Sequence, residues 1–199
     1  MVYQIHRYPA DLIDVLHLPD AGRVVVRPVL PQDEALTDAY FRDLRAASRY
    51  DRFLGPMRAL PPGLVAHLTQ VDYASHLALV AAVVADGRET VIAEARYARG
   101  ADKSSAEFAV SVADAWQGRG LARLLLGKIA RHAAAAGVTR FYGETLAGNE
   151  RLLRLARKAG FTVQPSPDVA GLLLLEKVLS AAGGVPASNT GQSACLPAA

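Results

Sequence analysis

VSVADAWQGRGLARLLL, residues 110–126, is the stretch that decides the fold. Its first three residues are typical of a β-strand, and the leucines from Leu121 onward recur at helical spacing. The loop between them has two glycines, Gly118 and Gly120, with Arg119 between them. The first turn of a helix presents backbone N–H groups that lack intrahelical partners, and glycines allow an anion to approach them closely. The stretch therefore predicts a binding site for a phosphate group.

Two familiar phosphate-binding motifs do not match this loop. A nucleotide P-loop requires Gly-x-x-x-x-Gly-Lys-Ser/Thr, and the sequence has neither that spacing nor the Lys-Ser/Thr pair. The dinucleotide fingerprint Gly-x-Gly-x-x-Gly finds two of its three glycines, but Arg123 occupies the third place. That fingerprint also requires a parallel βαβ unit, whereas the preceding pattern is an antiparallel meander. Both motifs are therefore disfavoured.

The patterns on both sides of this stretch predict a mixed α/β sheet. Short apolar runs typical of strands occupy 23–28, 77–84, 89–97, 106–112, 140–146, 161–163 and 172–178. Helical spacing begins at Asp33 and recurs over 46–53, from Pro61, over 120–136 and over 149–159. Three strands in succession come before the alternating helices and strands. We therefore expect an α/β (α+β) fold, with a central mixed, mostly antiparallel sheet of six to seven strands flanked by helices.

The length and the end of the chain predict its organisation. The 199 residues favour one domain, 1–179, followed by a disordered tail, 180–199, which is rich in small and polar residues without a period. No run approaches the ~20 apolar residues of a membrane-spanning helix. The first residues lack the pattern of a secretory signal. We therefore expect a soluble, cytoplasmic protein without a membrane partner.

Charge and ligand types argue against several classes of function. The 22 basic and 19 acidic residues give a net charge of +3, which is too small to imply a nucleic-acid partner. The one cysteine, Cys195, lies in the predicted tail, so the domain has no internal disulfide and no thiolate zinc site. His67, His76 and His132 have no companions at metal-ligand spacing. We therefore expect no metal.

The glycine loop resembles the cofactor signature of a known enzyme family. Gln117-Gly118-Arg119-Gly120-Leu121-Ala122 is similar to the Gln/Arg-x-x-Gly-x-Gly/Ala signature of the GNAT N-acetyltransferase superfamily. The later helix, from Asn149 to Gly160-Phe161, is also similar to that family. The resemblance implies a GNAT-type fold and acetyl-CoA as cosubstrate, with its pyrophosphate at all six loop residues. It further implies cofactor contacts at Val110, Val112 and Asn149, although asparagine there is also typical of a helix N-cap.

A closer resemblance concerns the catalytic group. Segments 48–53, 68–73 and 107–110 are similar to the catalytic domain of bacterial Pat-type protein lysine acetyltransferases. This resemblance implies transfer of acetyl from acetyl-CoA to a primary amine of a protein lysine, with Glu107 as the general base. Burial of Glu107 between its strand neighbours would raise its pKa towards working pH. The alternative is a solvent-facing Glu107 that pairs with Arg96.

Three questions stay open in the sequence. The family resemblance implies that the Val112 backbone N–H donates to the thioester carbonyl, and we expect a strand bulge there that frees it for this role; the alternative is an ordinary ladder partner. Many family members have a tyrosine that protonates the leaving thiolate, but this chain has Ala156 there; Tyr142 is a conceivable substitute, although strand tyrosines more often serve packing. The acceptor could also be a small amine, and a non-catalytic acetyl-CoA-binding module is a third hypothesis.

Overall fold

The computed structural model describes residues 8–18, 22–85 and 87–180. The predicted tail from residue 181 onward, and Asp86 of the turn between two predicted strands, lie outside the described residues. The strands are β1 (Asp14–Leu18), β2 (Gly22–Pro28), β3 (His76–Ala85), β4 (Arg88–Arg99), β5 (Ser105–Val112), β6 (Arg140–Leu146), β7 (Thr162–Pro165) and β8 (Leu172–Val178). The helices are α1 (Glu34–Asp43), α2 (Ala46–Phe53), α3 (Pro62–Thr69), α4 (Leu121–Ala135) and α5 (Glu150–Lys158).

The strands form one sheet in the order β1-β2-β3-β4-β5-β6-β8-β7. Every neighbouring pair is antiparallel except β5 and β6, which are parallel. This architecture confirms the predicted α+β class and its mixed, mostly antiparallel sheet. Seven strand segments were expected from the sequence, and β1 is the additional one. It was not predicted because Asp14 and His17 interrupt its short apolar pattern. It lies at the edge of the sheet and pairs with β2 alone.

The main core lies between the sheet and the helices α4 and α5. On α4, the apolar residues Leu121, Leu125, Ile129 and Ala133 recur every four positions, and all four are buried. They pack with the aromatic side chains of the sheet, among which Phe108 and Phe141 are stacked with ring centroids 5.1 Å apart. The predicted period therefore fixes which face of α4 meets the sheet.

The opposite face of the sheet is covered by α1, α2 and α3. A second apolar cluster there joins Phe41 of α1 to Leu60, Val65 and Leu68 in and before α3. In α2, by contrast, no residue is fully buried. Among the described residues, no helix combines the length and the apolar character that crossing a bilayer requires.

Candidate active site

The strands β5 and β6 pair over a short distance and then separate. Their ladder joins Ser105, Ala106 and Glu107 to Arg140, Phe141 and Tyr142, and it ends there. Beyond it, Gly143 of β6 passes close to Phe108: a Cβ on Gly143 would lie 2.9 Å from the Phe108 carbonyl oxygen. Only glycine fits at this contact, so the residue type allows β6 to pass Phe108 as the two strands diverge.

The separation leaves one backbone edge of β5 without a strand partner. The Ala113 N–H donates to the Ile92 carbonyl at 2.8 Å, so it points towards β4. Backbone groups alternate in direction along a strand, so those of Val110 and Val112 point the other way, towards the opening. The register between β4 and β5 is continuous, and the bulge expected at Val112 is therefore wrong. The divergence of β6, rather than a bulge, frees these groups.

The glycine loop ends at the open N-terminus of α4. Gly118 and Gly120 adopt positive φ angles of 80° and 84°, which glycine tolerates best, and open space lies where a Cβ would project. Gly120 is the N-cap of α4, and no side chain caps it. The first turn of α4 has no acidic residue, so the partial positive charge of the helix terminus is not neutralised from within the helix.

The N-terminus of α5, unlike that of α4, is capped by a side chain. The Asn149 side chain accepts a hydrogen bond from the Leu152 N–H at 3.1 Å, and Glu150 places negative charge in the first turn. The N-cap alternative for Asn149 is thus confirmed. Because α5 is capped and α4 is not, the glycine loop has the stronger attraction for an anion.

Gln117 and Arg119 take different positions in the loop. The Gln117 side chain donates from Nε2 to the Val112 carbonyl at 3.1 Å, which ties the loop to the end of β5. Its Oε1 is buried and has no hydrogen-bond partner within the described residues, so it could accept a bond from a ligand. Arg119 is exposed, and its guanidinium lies over the Trp116 ring at 4.9 Å.

These features line one groove of about 680 Å³. All the predicted site residues line it except Arg119: Glu107, Val110, Val112, Gln117, Gly118, Gly120, Leu121, Ala122 and Asn149. Its size lies within the range of small-molecule and cofactor sites. The uncapped helix terminus and the glycines with open space beside them fit a ligand with a phosphate group at one end, and the unpaired Gln117 oxygen fits an N–H or O–H donor elsewhere on that ligand.

Glu107 lies where the strands separate, at the last residue that pairs with β6. The expectation that it is buried is wrong, because it is an exposed residue. Its neighbours Ala106 and Phe108 face the core, and alternation along the strand therefore turns Glu107 to the other face. It does not pair with Arg96, whose guanidinium binds Glu94 at 2.8 and 2.9 Å.

Sequence reasoning missed a second set of lining residues, because they come from elements far apart in the chain. Helix α2 contributes Ser48, Asp51 and Arg52, β6 contributes Glu144, and α5 contributes Arg151. Arg154 of α5 also lines the groove; from the sequence it was expected on a solvent-exposed face, with a cofactor contact as the lesser alternative. Burial raises the pKa of Asp51, and the positive charge of Arg151 partly offsets this. Glu144 accepts a hydrogen bond from the Ser166 hydroxyl at 2.5 Å. The resemblance of segment 48–53 was the one available signal for α2.

The structure separates the two positions considered for a proton donor. Ala156 is fully buried in the core. Tyr142 stands opposite Glu107 in the β5–β6 ladder, with the Arg140 guanidinium 4.5 Å from its ring centroid. Burial, followed by the negative charge of Glu107, raises the pKa of Tyr142. Tyr142 is not among the residues that line the groove.

No group of three or more His, Cys, Asp or Glu side chains within residues 8–18, 22–85 and 87–180 could hold a metal ion.

Comparison with known proteins gives the family. The model of the acetyltransferase (GNAT) family matches residues 39–161. Over 151 residues, the chain is 32% identical to Acetyltransferase PA5475 of Pseudomonas aeruginosa. The aligned region covers 76% of this chain and 81% of the relative. Over 136 residues, it is 35% identical to Acetyltransferase Pat of Mycolicibacterium smegmatis, covering 68% of this chain and only 40% of that longer protein.

A solved structure agrees with these sequence relatives. The GNAT domain of S. lividans PAT is 32% identical, with a TM-score of 0.78 and coverage of 87% of this chain and 100% of that domain. The chain therefore belongs to the acetyltransferase (GNAT) family. It is an acetyl-CoA-dependent acetyltransferase.

Proposed function

We propose that this GNAT acetyltransferase acetylates the side-chain amine of a protein lysine, with Glu107 as its general base. One observation supports the proposal above the others. Glu107, the open edge of β5 and the uncapped N-terminus of α4 line the same groove, in that order from the point of strand separation outward. The similarity to Pat of M. smegmatis and to the S. lividans PAT domain favours a protein lysine as acceptor.

The geometry of the groove favours one direction for acetyl-CoA. Its pyrophosphate would lie at Gln117–Ala122, where N–H groups of the first helical turn and Arg123 of α4 favour negative charge. Its pantetheine amides would pair with the open backbone groups of Val110 and Val112. The acetyl group would then point towards Glu107. When bound, acetyl-CoA supplies the acetyl group as a reactive thioester.

Glu107 would make the acceptor nucleophilic. A lysine side chain is protonated at neutral pH and cannot attack until it loses a proton. The Glu107 carboxylate accepts that proton, directly or through one water, and the nitrogen lone pair so freed forms a bond to the carbonyl carbon. The carbon–sulfur bond then breaks, its electron pair leaves on sulfur, and the nitrogen gives up its second proton to water.

Strand geometry favours Val110 rather than Val112 as donor to the carbonyl oxygen. At ~3.3 Å per residue, the Val110 N–H lies about 10 Å along β5 from Glu107, and the Val112 N–H about 17 Å. The base and the oxyanion donor have to contact atoms of one reaction centre, which the shorter separation allows. We therefore assign the carbonyl contact to Val110 and a pantetheine contact to Val112.

The buried Ala156 supplies no proton to the departing thiolate. A CoA thiolate has a pKa close to that of an ordinary thiol and leaves more readily than an alkoxide, so protonation by water is sufficient. This distinguishes the chain from relatives with a tyrosine at that position, and the proposed chemistry needs no further acid.

The proposal is tested with Glu107→Gln. Free thiol released from acetyl-CoA is measured with lysine peptides and, separately, with small amines such as a polyamine. We expect a fall of at least ~100-fold, because general-base catalysis contributes about that much. Binding of CoA, followed through the single tryptophan, Trp116, is expected to stay unchanged.

Glu34→Gln is the matched control, since Glu34 is an exposed glutamate on α1. Full activity of Glu107→Gln would show that Glu107 is not the base. Loss of CoA binding in this variant would show that Glu107 has a structural role instead. Turnover of small amines without turnover of peptides would show that the acceptor is a small amine and not a protein lysine. Tight CoA binding by the wild-type protein without turnover of any amine would leave a binding module.

A further inference from the structure

Helix α2, which lines the acceptor end of the groove, is attached to the protein in an unusual way. None of its eight residues is fully buried. Its one aromatic contact with the apolar cluster is the half-buried Phe53, whose ring packs edge-on against Phe41 at 5.2 Å. Apolar burial therefore contributes little to the position of α2, although Ser48 and Asp51 of this helix face the groove.

Polar contacts hold α2 instead: Arg49 donates to the Arg42 and Leu44 carbonyl oxygens, and two carboxylates from the sheet side bind the two ends of the helix. Asp114 accepts hydrogen bonds from the Arg45 N–H at 2.9 Å and from the Ser48 hydroxyl at 2.8 Å, at the start of the helix. Glu94 of β4 accepts from Arg52 at 3.1 Å, near the end of the helix. Each end of α2 is thus fixed by one acidic residue.

The two carboxylates differ in what lies next to them in the chain. Glu94 belongs to a fully paired central strand. Asp114 lies between the end of β5 and the glycine loop, where it begins the short 3-10 turn Asp114–Trp116. One segment of thirteen residues, 110–122, therefore includes the open edge of β5, the contact with α2 and the anion site.

The charge of Asp114 is stabilised in this position. Partial burial acts against its charge, but the hydrogen bonds from Arg45 and Ser48 outweigh burial and lower the pKa of Asp114. At neutral pH the side chain is an ionised acceptor of two bonds, and such charge-assisted hydrogen bonds are stronger than neutral ones.

We propose that Asp114 is a positioning residue that links the occupied cofactor loop to α2 and so orders the acceptor end of the groove. The inference rests on the proposed function, because it takes CoA as the ligand of the loop. A ligand at Gln117–Ala122 restricts the segment that begins at Asp114. Through the bonds to Arg45 and Ser48, the same restriction reaches the first turn of α2.

Hydrogen exchange with and without CoA tests this link. In the wild-type protein, CoA is expected to slow amide exchange across residues 46–53 on the order of fivefold, the lower end of typical coupling between sites. In Asp114→Ala the slowing of α2 is expected to disappear, while exchange at the glycine loop still slows. Asp114→Asn keeps one acceptor oxygen and should restore part of the effect.

Asp38→Asn is the matched control, because Asp38 is an aspartate on α1 whose ion pair with Arg42 is largely exposed. It should leave the response of α2 to CoA unchanged. Should Asp114→Ala unfold, Ser48→Ala removes one of the two bonds from the helix side and leaves the loop intact. This variant should weaken the slowing of α2 without affecting the loop.

The outcomes separate this inference from the proposed function. Failure of CoA to quench or shift Trp116 fluorescence, or to protect the loop, would remove the cofactor site and with it the premise. Protection of the loop without protection of α2 in the wild-type protein would overturn the inference alone. Equal protection of α2 in wild type and Asp114→Ala would assign the coupling to other contacts.

Discussion

The two sides of the groove are built by different physics. On the cofactor side, α4 is fixed by a stripe of buried apolar residues, and its N-terminus is left without a cap. On the proposed acceptor side, α2 buries no residue fully and is fixed by polar contacts, among them the hydrogen bonds to Asp114 and Glu94. A helix held by apolar packing keeps its place when a ligand arrives or leaves, whereas a helix held by a few polar contacts depends on each of them. The acceptor side is therefore the more easily changed half of the site.

The strongest test of this contrast is Glu94→Gln. Glu94 is buried, and the positive charges of Arg96 and Arg52 overcome the effect of burial and lower its pKa to about 2. Loss of the Glu94 charge leaves two largely buried arginines without their counter-ion. We expect this to lower the free energy of unfolding by about 3 kcal/mol. Urea unfolding measures this, with the exposed pair variant Glu150→Gln expected to change stability by less than ~1 kcal/mol.

The pH dependence of this ion pair follows from the lowered pKa. Its stabilising contribution is present above the ordinary carboxyl pKa of 4.5 and is lost as the pH falls towards 2. Glu94→Gln should therefore show a shallower loss of stability over that range. An equal slope in both proteins would mean that the buried charges contribute nothing specific to holding α2.

Gly143→Ala tests the place where the two sides of the groove diverge. The added methyl would lie 2.9 Å from the Phe108 carbonyl oxygen and 3.1 Å from its ring. We expect a loss of about 2 kcal/mol, since overpacking of this kind forces backbone or core shifts. Thermal unfolding measures it, and Gly63→Ala is the control, because open space surrounds that position. A tolerated Gly143→Ala would mean that the strands can part without this close contact.

An effect of similar size is expected at the start of β3 as the pH falls. Desolvation, then the charges of Arg96 and His67, lower the pKa of His76 from 6.5 to about 4. Between these pH values the unfolded chain binds a proton at His76 and the folded chain does not. The free energy of unfolding therefore decreases by on the order of 2 kcal/mol as the pH falls from 6.5 towards 4. His76→Gln should flatten this decrease, whereas His17→Gln, at an exposed position, should preserve it.

The smallest effect concerns the cap of α5. Asn149→Ala removes the bond to the Leu152 N–H and is expected to cost about 1 kcal/mol. Asn149→Asp retains the cap, so its stability should match the wild type within ~0.5 kcal/mol. If Asn149 also contacts CoA, as the family resemblance implies, Asn149→Asp should weaken CoA binding measured by calorimetry. Unchanged affinity would leave Asn149 as a cap alone.

The same contrast explains how much the sequence could predict. The α4 stripe and the glycine loop are local patterns, so spacing alone predicted the start of α4 at Gly120 and the buried position of Leu121. The burial of Glu107 depends on which face of the sheet each helix covers, and this was predicted wrongly. The contribution of α2 depends on contacts with Asp114 and Glu94, each more than forty residues away in the chain. No local period encodes such polar contacts. Strand β1 was missed for a related reason, because polar residues interrupt its apolar pattern.

The early end of the β5–β6 ladder has a consequence for how the sheet is completed. In the proposed binding mode, recognition along the open edge would use main-chain atoms, which every residue type except proline supplies in full. A bound pantetheine arm would then take the place of a strand between the diverging β5 and β6. Side chains at positions 110 and 112 can accordingly vary among apolar types while the hydrogen-bonding pattern offered to the ligand persists.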